Sequence, residues 1–327
     1  MRFGLHVDMR NRPGSGDGWP LHYGRWLERL EEADRLGADS IWLSEHHFFD
    51  DGYLPQLWTF ASAIAARTSR VRIGTAVNIL PLHSAVELAE QIALVDVISG
   101  GRVEPGFGVG YRKPEYLAFN GDFKGRYRVF AERIGEMREL WGETGTGRTV
   151  TPRPVQSPVP MWGGFGGPTG ARMAGRLGLG LQSLDPALLA AYTAGLAAGG
   201  HDPASARVAG SFEMFVTDDP ERTWAEIGSH LLYRGRSYAR YMFEGTSLEA
   251  NPPKYEGHAK ENVLVGTPQQ IADAITTRTD GLPIEHLYTW ADHPGISSDL
   301  VDRHIELVLS EVAPLLRQRA AAPAAPG

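Results

Sequence analysis

The stretch VRIGTAVNILPLHSAVELAEQIALVDVISGGRVEPGFGVGYRKPEYLAFN, residues 71–120, decides the fold. Its first run, residues 71–80, carries apolar and β-branched side chains on both faces, as a strand buried on both sides does, and it stops at Pro81. Ala85, Leu88, Ala89, Ile92 and Val95 then recur three or four apart, which draws one apolar stripe down a helix. Ser99-Gly100-Gly101 ends that helix, because glycine takes the left-handed cap conformation at little cost. A second strand, residues 102–109, opens into the turn Gly106, Gly108, Gly110. Strand, helix and parallel strand make one βαβ unit, and whatever follows its second strand belongs at a ligand-facing edge.

Outward from this unit the same alternation recurs. Residues 3–7 read as the first strand, and residues 40–44 as the second, ending in Glu45-His46-His47. Residues 23–36 and 56–69 read as helices. After the central unit come a helix at 125–141 and strands at 159–163, 180–184, 208–216 and 284–290. Between these strands lie helices at 169–177 and 186–198, one within 220–240, and one capped by Gly266-Thr267-Pro268. The last helix spans 298–316. Eight strand–helix repeats predict an α/β fold of the (β/α)8 TIM-barrel type. The barrel is expected to fill residues 1–318 as one domain, with insertions near 142–158 and 238–262 and a flexible tail at 319–327. The first insertion reads as an excursion loop or a short hairpin, and the second as polar and irregular from residue 241 onward.

Composition narrows the function. The net charge of −7 argues against a nucleic-acid surface. The chain has no cysteine, which excludes disulfides, thiolate catalysis and thiolate metal sites. No run approaches 18 apolar residues, so no membrane span is expected. The N-terminus, MRFGLHVDMR, reads as a short strand and not as an apolar signal segment, so a cytoplasmic enzyme is expected.

In such a barrel, function sits where strands end at their C-terminal edge. Four unusual groups fall there: His46, Asn78, Val109-Gly110-Tyr111 and the run Gly163-Gly164-Phe165-Gly166-Gly167. A lone histidine is more often structural, but one that ends a barrel strand is placed to exchange a proton near neutral pH. The glycine run precedes a helix, and bare backbone amides at a helix N-terminus suit a phosphate. Arg172, one turn into that helix, either assists or is solvated. The His46-His47 pair has no properly spaced third ligand, so no metal site is read. Gly106-Phe107-Gly108-Val109-Gly110 imitates a dinucleotide fingerprint, but Pro114 argues that no helix opens after it. Trp162, Tyr288 and Trp290 can wall a pocket, and Asp292 and His293 can serve polar recognition.

Several of these elements together resemble the bacterial luciferase-like family of flavin- or deazaflavin-dependent oxidoreductases. They are Ile73-Gly74-Thr75-Ala76-Val77, Leu80-Pro81-Leu82-His83, Ala89-Glu90, Ser99-Gly100-Gly101-Arg102, Gly110-Tyr111 leading to Phe119, and Glu45-His46-His47-Phe48. The resemblance covers roughly residues 1–180 well and the remainder in outline. It implies that His46 lies beside the reactive face of the cofactor ring and that Ala76-Val77 is a non-prolyl cis peptide beneath it. It further implies that Asn78 hydrogen-bonds the ring edge or the substrate, that Gly110 and Tyr111 border the cofactor, and that Gly164, Phe165, Gly166 and Gly167 hold its phosphate. Two positions depart from the flavin monooxygenases of the family. Val109 stands where an arginine often contacts the phosphate, and Gly108 stands where the luciferase itself has a reactive cysteine. Arg112 and Lys113 lie close enough in sequence to substitute, and deazaflavin-using members commonly carry Gly-Val-Gly here.

The function implied first is a monooxygenase that uses reduced FMN and O2 on a small organic substrate, with a separate flavin reductase as supplier and a homodimer as the assembly. The alternative is hydride transfer to or from a small organic substrate by the deazaflavin coenzyme F-420. A non-catalytic flavin-binding relative is a third reading, and it conflicts with the eight repeats. A metal-dependent barrel hydrolase would need carboxylates and histidines at several strand ends. Strands three to five end mostly in small or apolar residues. Substrate choice is assigned to loops 11–20, 142–158 and 238–262.

Overall fold

The computed structural model describes residues 1–14, 17–145, 147–246, 249 and 263–321. Its strands are β1 (Arg2–Val7), β2 (Ser40–Leu43), β3 (Arg72–Thr75), β4 (Asn78–Ile79), β5 (Val103–Glu104), β6 (Gly106–Gly108), β7 (Trp162–Gly164), β8 (Gly180–Gln182), β9 (Val208–Phe212), β10 (Met214–Val216), β11 (Leu264–Gly266) and β12 (Ile284–Trp290). Ten of them form one sheet in the order β4-β6-β7-β8-β9-β12-β1-β2-β3-β5, all parallel. The pieces β3 and β4 continue one another, as do β5 and β6. Because β3 pairs with β5 and β4 with β6, the two ends of the sheet meet. Eight staves therefore close into a (β/α)8 barrel, as the repeat count predicts.

Helices α1 (Trp19–Leu36), α2 (Leu57–Arg67), α3 (Ala85–Ser99), α4 (Lys113–Ala118), α5 (Arg126–Leu140), α6 (Pro168–Arg176), α7 (Leu189–Ala198) and α8 (Pro220–Phe243) follow in order. Two more helical runs, Pro268–Arg278 and Ser298–Leu307, follow, and the second continues through a π turn into Ala313–Ala321. Arg102 locks α2 to α3. Its buried guanidinium donates to Ala65 O, Thr68 O, Thr68 Oγ1 and Val71 O after α2 and to Ser99 O at the end of α3, which pins both helix ends to the start of the fourth stave. Among the described residues no helix is long and apolar enough to cross a membrane.

The barrel interior is filled in layers. Lowest lies Glu104, which accepts from Trp162 Nε1 at 2.7 Å and pairs with Arg72 and His286. Above it Trp42 stacks on Tyr288, with centroids 4.8 Å apart, and meets Trp162 edge-on. Gly74 and Gly180 make room for these indoles: a Cβ on either would lie 2.3 Å from a tryptophan ring carbon. Trp162 and Tyr288 are thus core residues and not pocket walls, in contrast to the expectation from their strand-end positions. Trp290, one layer higher, does face the cavity.

Other departures have local causes. Stave three breaks at Ala76-Val77, and stave four breaks at Pro105, which has no N–H for the ladder. Stave seven ends at Phe212, and β10 leaves it to pair with β11, a strand that periodicity did not reveal. Pro114 does not prevent a helix: it occupies the first turn of α4, where a missing N–H is harmless. Helix α8 runs on to Phe243, so the start of the expected 238–262 insertion is helical. Most of its remainder, residues 247–248 and 250–262, lies outside the described residues. The 142–158 segment has neither helix nor strand among its described residues, so it is a loop and not a hairpin. Residues 319–321 continue the last helix, and the rest of the expected tail, 322–327, lies outside the described residues.

Candidate active site

The C-terminal ends of the staves surround a cavity of about 360 Å³, a size suited to a small molecule or the ring of a cofactor. Of the residues singled out by sequence, His46, Ala76, Val77, Gly110, Tyr111, Gly164, Phe165 and Gly166 line it, together with Gly108 and Val109. The Ala76–Val77 peptide is cis. Val77 presses its methyls between two staves. A Cβ on Gly108 or on Gly164 would lie 2.5 or 2.4 Å from them, so both glycines are required by that contact.

His46 is held from both ring nitrogens. Nδ1 lies 3.0 Å from Glu115 Oε1, and Nε2 lies 3.2 Å from the Tyr111 hydroxyl. Phe49 stacks on the imidazole at 4.8 Å, and Tyr53 meets it edge-on at 4.8 Å. Glu115 is fully buried and also accepts from the His47 amide at 2.9 Å and from Arg112 Nη1 at 3.1 Å. Burial opposes its ionisation, but these donors and the Arg112 charge win and hold its carboxyl below the usual range. An ionised Glu115 can only accept, so Nδ1 carries the proton and Nε2 faces Tyr111. Sequence reading missed Glu115. Its signal was available, because Lys113-Pro114-Glu115 is proline at a helix start followed by an acid in the first turn.

Glu45 has a structural task. Its carboxylate accepts from Asn78 Nδ2 and the Ile79 amide, both at 2.6 Å, and from His47 Nε2 at 2.8 Å and His83 Nε2 at 2.6 Å. Burial opposes its charge, yet His83 and these donors hold its carboxyl well below the usual range. Asn78 does not line the cavity: its amide joins Trp58 Nε1 to Glu45 behind the wall. Glu45, His47 and His83 do converge, so His83 supplies the third group that the His-His pair lacked in sequence. Their distances are those of a hydrogen-bonded carboxylate, and the carboxylate's acceptor positions are filled.

Among the described residues no lysine or arginine lines the cavity. Arg112 does not substitute for the missing cation. Its guanidinium is buried and engaged by His47 O, Glu115 and Glu244, between the rings of Phe49 and Tyr241. Lys113 is exposed and lies over Phe123. What remains for an anion is the start of α6. Gly167 is its N-cap without a side-chain cap bond, Pro168 follows, and a Cβ on Gly166 or Gly167 would meet nothing within 4 Å. Gly167 itself does not line the cavity, and Arg172 is exposed. Of the late-strand polar pair, His293 is buried with neither ring nitrogen partnered, and Asp292 borders a separate cavity.

A closed parallel barrel, with a buried imidazole fixed at the mouth between a carboxylate and a phenol, defines an α/β-barrel enzyme. The sequence profile of the luciferase-like monooxygenases matches residues 1–283, and the chain belongs to that family of oxidoreductases. It is 28% identical over 327 residues to an F420-dependent glucose-6-phosphate dehydrogenase of Kineococcus radiotolerans, covering 90% of this chain and 93% of the relative. It is 30% identical over 174 residues to the oxygenase component of the flavin-dependent trigonelline monooxygenase of Acinetobacter baylyi, covering 50% of this chain and 48% of that one. The chain spans about half the length of several curated relatives that it matches. The crystal structure of monooxygenase RslO1 from Streptomyces bottropensis superposes with a TM-score of 0.80 at 24% identity, covering 96% of this chain and 99% of that one. An F420-dependent secondary alcohol dehydrogenase superposes with a TM-score of 0.75 at 20% identity, over 97% of this chain and 99% of that one.

Proposed function

We propose that the cavity binds a reduced flavin-type cofactor and that the protein oxidises a small organic substrate there with O2, as a luciferase-like monooxygenase supplied by a separate flavin reductase. The observation that carries this reading is His46, fixed by Glu115 and Tyr111 in a cavity walled by aromatic and aliphatic groups. The residues fit the ring end of such a cofactor: Ala76, Val77 and Gly108 offer a side-chain-poor surface, and Gly110 and Tyr111 border it. When bound, the cofactor supplies the two electrons of the reaction. The protein's residues exclude water, hold substrate and cofactor together, and hold or move a proton at His46 Nε2.

One observation favours a second reading. With no cation in the described lining, a phosphate must rest on neutral donors near Gly166, Gly167 and the first turn of α6. That suits the singly charged phosphodiester of the deazaflavin coenzyme F-420 better than the phosphomonoester of FMN. In this reading hydride passes to or from the substrate without O2, and His46 has the same proton role. Replacing His46 by alanine tests both: turnover should fall at least about 100-fold with cofactor binding kept. Unchanged turnover would remove His46 from the mechanism.

We further propose a homodimer through the early barrel helices. The outer side of α3 exposes Val86, Leu94, Val97 and Ile98, each at least 41% exposed. Apolar side chains grouped on an exposed helix face beside Glu87, Glu90 and Gln91 suit burial against a partner with a polar rim. Light scattering should give twice the 35.7 kDa chain mass, and Val97→Lys with Ile98→Lys should return the monomer.

A further inference from the structure

Four polar side chains beside the same cavity make no hydrogen bond to His46 and form one line of their own. His6 Nε2 lies 2.9 Å from Ser44 Oγ, Ser44 Oγ lies 2.6 Å from Tyr53 Oη, and Tyr53 Oη lies 2.6 Å from Tyr238 Oη. His6, Ser44 and Tyr53 are buried, and Tyr238 is half-buried at the cavity. Each hydroxyl gives one hydrogen and accepts another, so the line has a direction. The end that cannot reverse sets it.

That end is His6. Its Nδ1 is buried without a hydrogen-bond partner, and a hydrogen placed there would be an orphaned buried donor, which folded proteins tolerate less than a bare acceptor. Burial, reinforced by Arg234, pushes the imidazole down to about 3, so the ring is uncharged at neutral pH and carries one proton. That proton therefore sits on Nε2 and is given to Ser44 Oγ. Ser44 then donates to Tyr53, and Tyr53 to Tyr238. The last hydrogen, on Tyr238 Oη, has no acceptor among the described residues. Burial, reinforced by Asp8, pushes the Tyr238 phenol up to about 12, so it keeps that hydrogen at neutral pH. Successive donors polarise one another, which strengthens the last of them.

We propose that Tyr238 is a substrate-binding donor and that the substrate offers it an uncharged carbonyl oxygen, as a ketone, aldehyde or ester does; His6, Ser44 and Tyr53 are the positioning residues behind it. The proposal rests on the oxidoreductase reading above for calling the occupant a substrate. The Tyr238 and His46 rings lie 6.0 Å apart, so an oxygen held by Tyr238 is on the His46 side of the cavity. Tyr111 does not compete for it, because its own hydrogen goes to His46 Nε2. A carbonyl oxygen only accepts, and one O–H satisfies it. An alcohol brings a further hydrogen to a phenol that already accepts from Tyr53. A buried carboxylate needs a cation or several donors, and among the described residues no lysine or arginine lines the cavity. Trp290, which stacks on His6 at 3.8 Å, Tyr53 and Tyr111 give the rest of the substrate aromatic walls.

The test uses the full chain without cofactor, and cyclohexanone as the probe, which is small enough to enter the cavity of about 360 Å³. The 15N resonances of His6 in the parent should show one uncharged tautomer, Nε2–H, from pH 5 to 9. Tyr238→Phe should weaken cyclohexanone binding about 2–10-fold and change that of methylenecyclohexane, the same shape without the oxygen, less than about twofold. The infrared carbonyl stretch of bound cyclohexanone should lie at lower wavenumber in the parent than in Tyr238→Phe. Ser44→Ala should move it toward the Tyr238→Phe value, and Ser44→Thr should return it. An Nδ1–H or averaged tautomer in the parent, equal losses for both probes, an unshifted stretch, or no saturable binding of cyclohexanone would overturn the proposal. A parent protein that binds neither reduced FMN nor reduced F-420 would overturn the cofactor reading instead, and the His6 tautomer and the carbonyl stretch would still decide the donor.

Discussion

Replacing Glu115 by glutamine separates the charge that holds His46 from the shape that holds it. The carboxylate receives three hydrogen bonds on Oε1, from His46 Nδ1, the His47 amide and Arg112. Its other oxygen, Oε2, is buried without a partner, so an amide NH2 fits there without displacing a donor. Hydrogen bonds to a charged group contribute about 1.5–3 kcal/mol, and neutral ones about 0.5–1.5. Losing the charge thus weakens each bond by about 1 kcal/mol, or about 3 kcal/mol for the set. Arg112 keeps Glu244 as a partner, which limits the further loss from its unpaired buried charge. Urea titration of Glu115→Gln should therefore show about 3 kcal/mol lost. Turnover should fall about 10–100-fold through kcat, by analogy with other groups that orient a reacting imidazole. Reduced-cofactor binding should persist. Parent-like turnover in a folded variant would refute Glu115 as the residue that positions His46.

Gly164→Ala should destabilise the fold by about 1–3 kcal/mol, because its Cβ would lie 2.4 Å from a Val77 methyl. Adding Val77→Ala should recover part of that loss, and a double-mutant cycle of unfolding midpoints checks the coupling. Burial, with Asp8 nearby, raises the Asp292 carboxyl to about 7 from its usual 3.8. The folded state then holds a proton that the unfolded state has lost, so this group lowers stability as pH rises from about 4 to 7 and has no further effect above. Asp292→Asn should therefore gain up to about 4 kcal/mol at pH 8, about three pH units at about 1.36 kcal/mol each, and nothing at pH 3.5, read from denaturant titrations at both. Glu45 behaves oppositely: its lowered carboxyl supports the fold above pH 4.5 and loses that support as pH falls toward its folded value. Glu45→Gln should be less stable at pH 7 and should flatten the acid limb of the parent's stability profile.

The barrel was legible because buried parallel strands and amphipathic helices leave different periods. The eighth strand, 284–290, reads correctly at both ends, since its β-branched and aromatic residues lie between Pro283 and the polar Asp292-His293. The breaks in staves three and four were not legible in the periodicity, because a cis peptide and a proline inside an apolar run do not alter its pattern, although the resemblance did point to the cis peptide at Ala76-Val77. The end of α8 was missed for a different reason. Tyr238 and Tyr241 turn inward on that helix toward Tyr53 and Phe49, a tertiary contact that a polar sequence does not announce. His46, Ala76, Val77, Gly110 and Tyr111 could be placed from strand ends and resemblance. Their main support could not: Glu115 is 69 residues from His46 in sequence. Asn78 was found at the correct strand end but faces the wall, because Glu45 and Trp58 capture its amide.

The most direct measurement is an anaerobic titration of the purified protein with reduced FMN and, separately, with reduced F-420, followed by tryptophan fluorescence. Trp290 borders the cavity, so an occupant should quench it saturably. Saturable binding of at least one of the two is expected, undiminished in His46→Ala and followed by substrate oxidation only when His46 is present. Binding of reduced FMN with O2-dependent product formation selects the monooxygenase, and binding of F-420 alone selects hydride transfer. If neither cofactor binds, the cavity at the barrel mouth is not a flavin-type site and the central claim is contradicted.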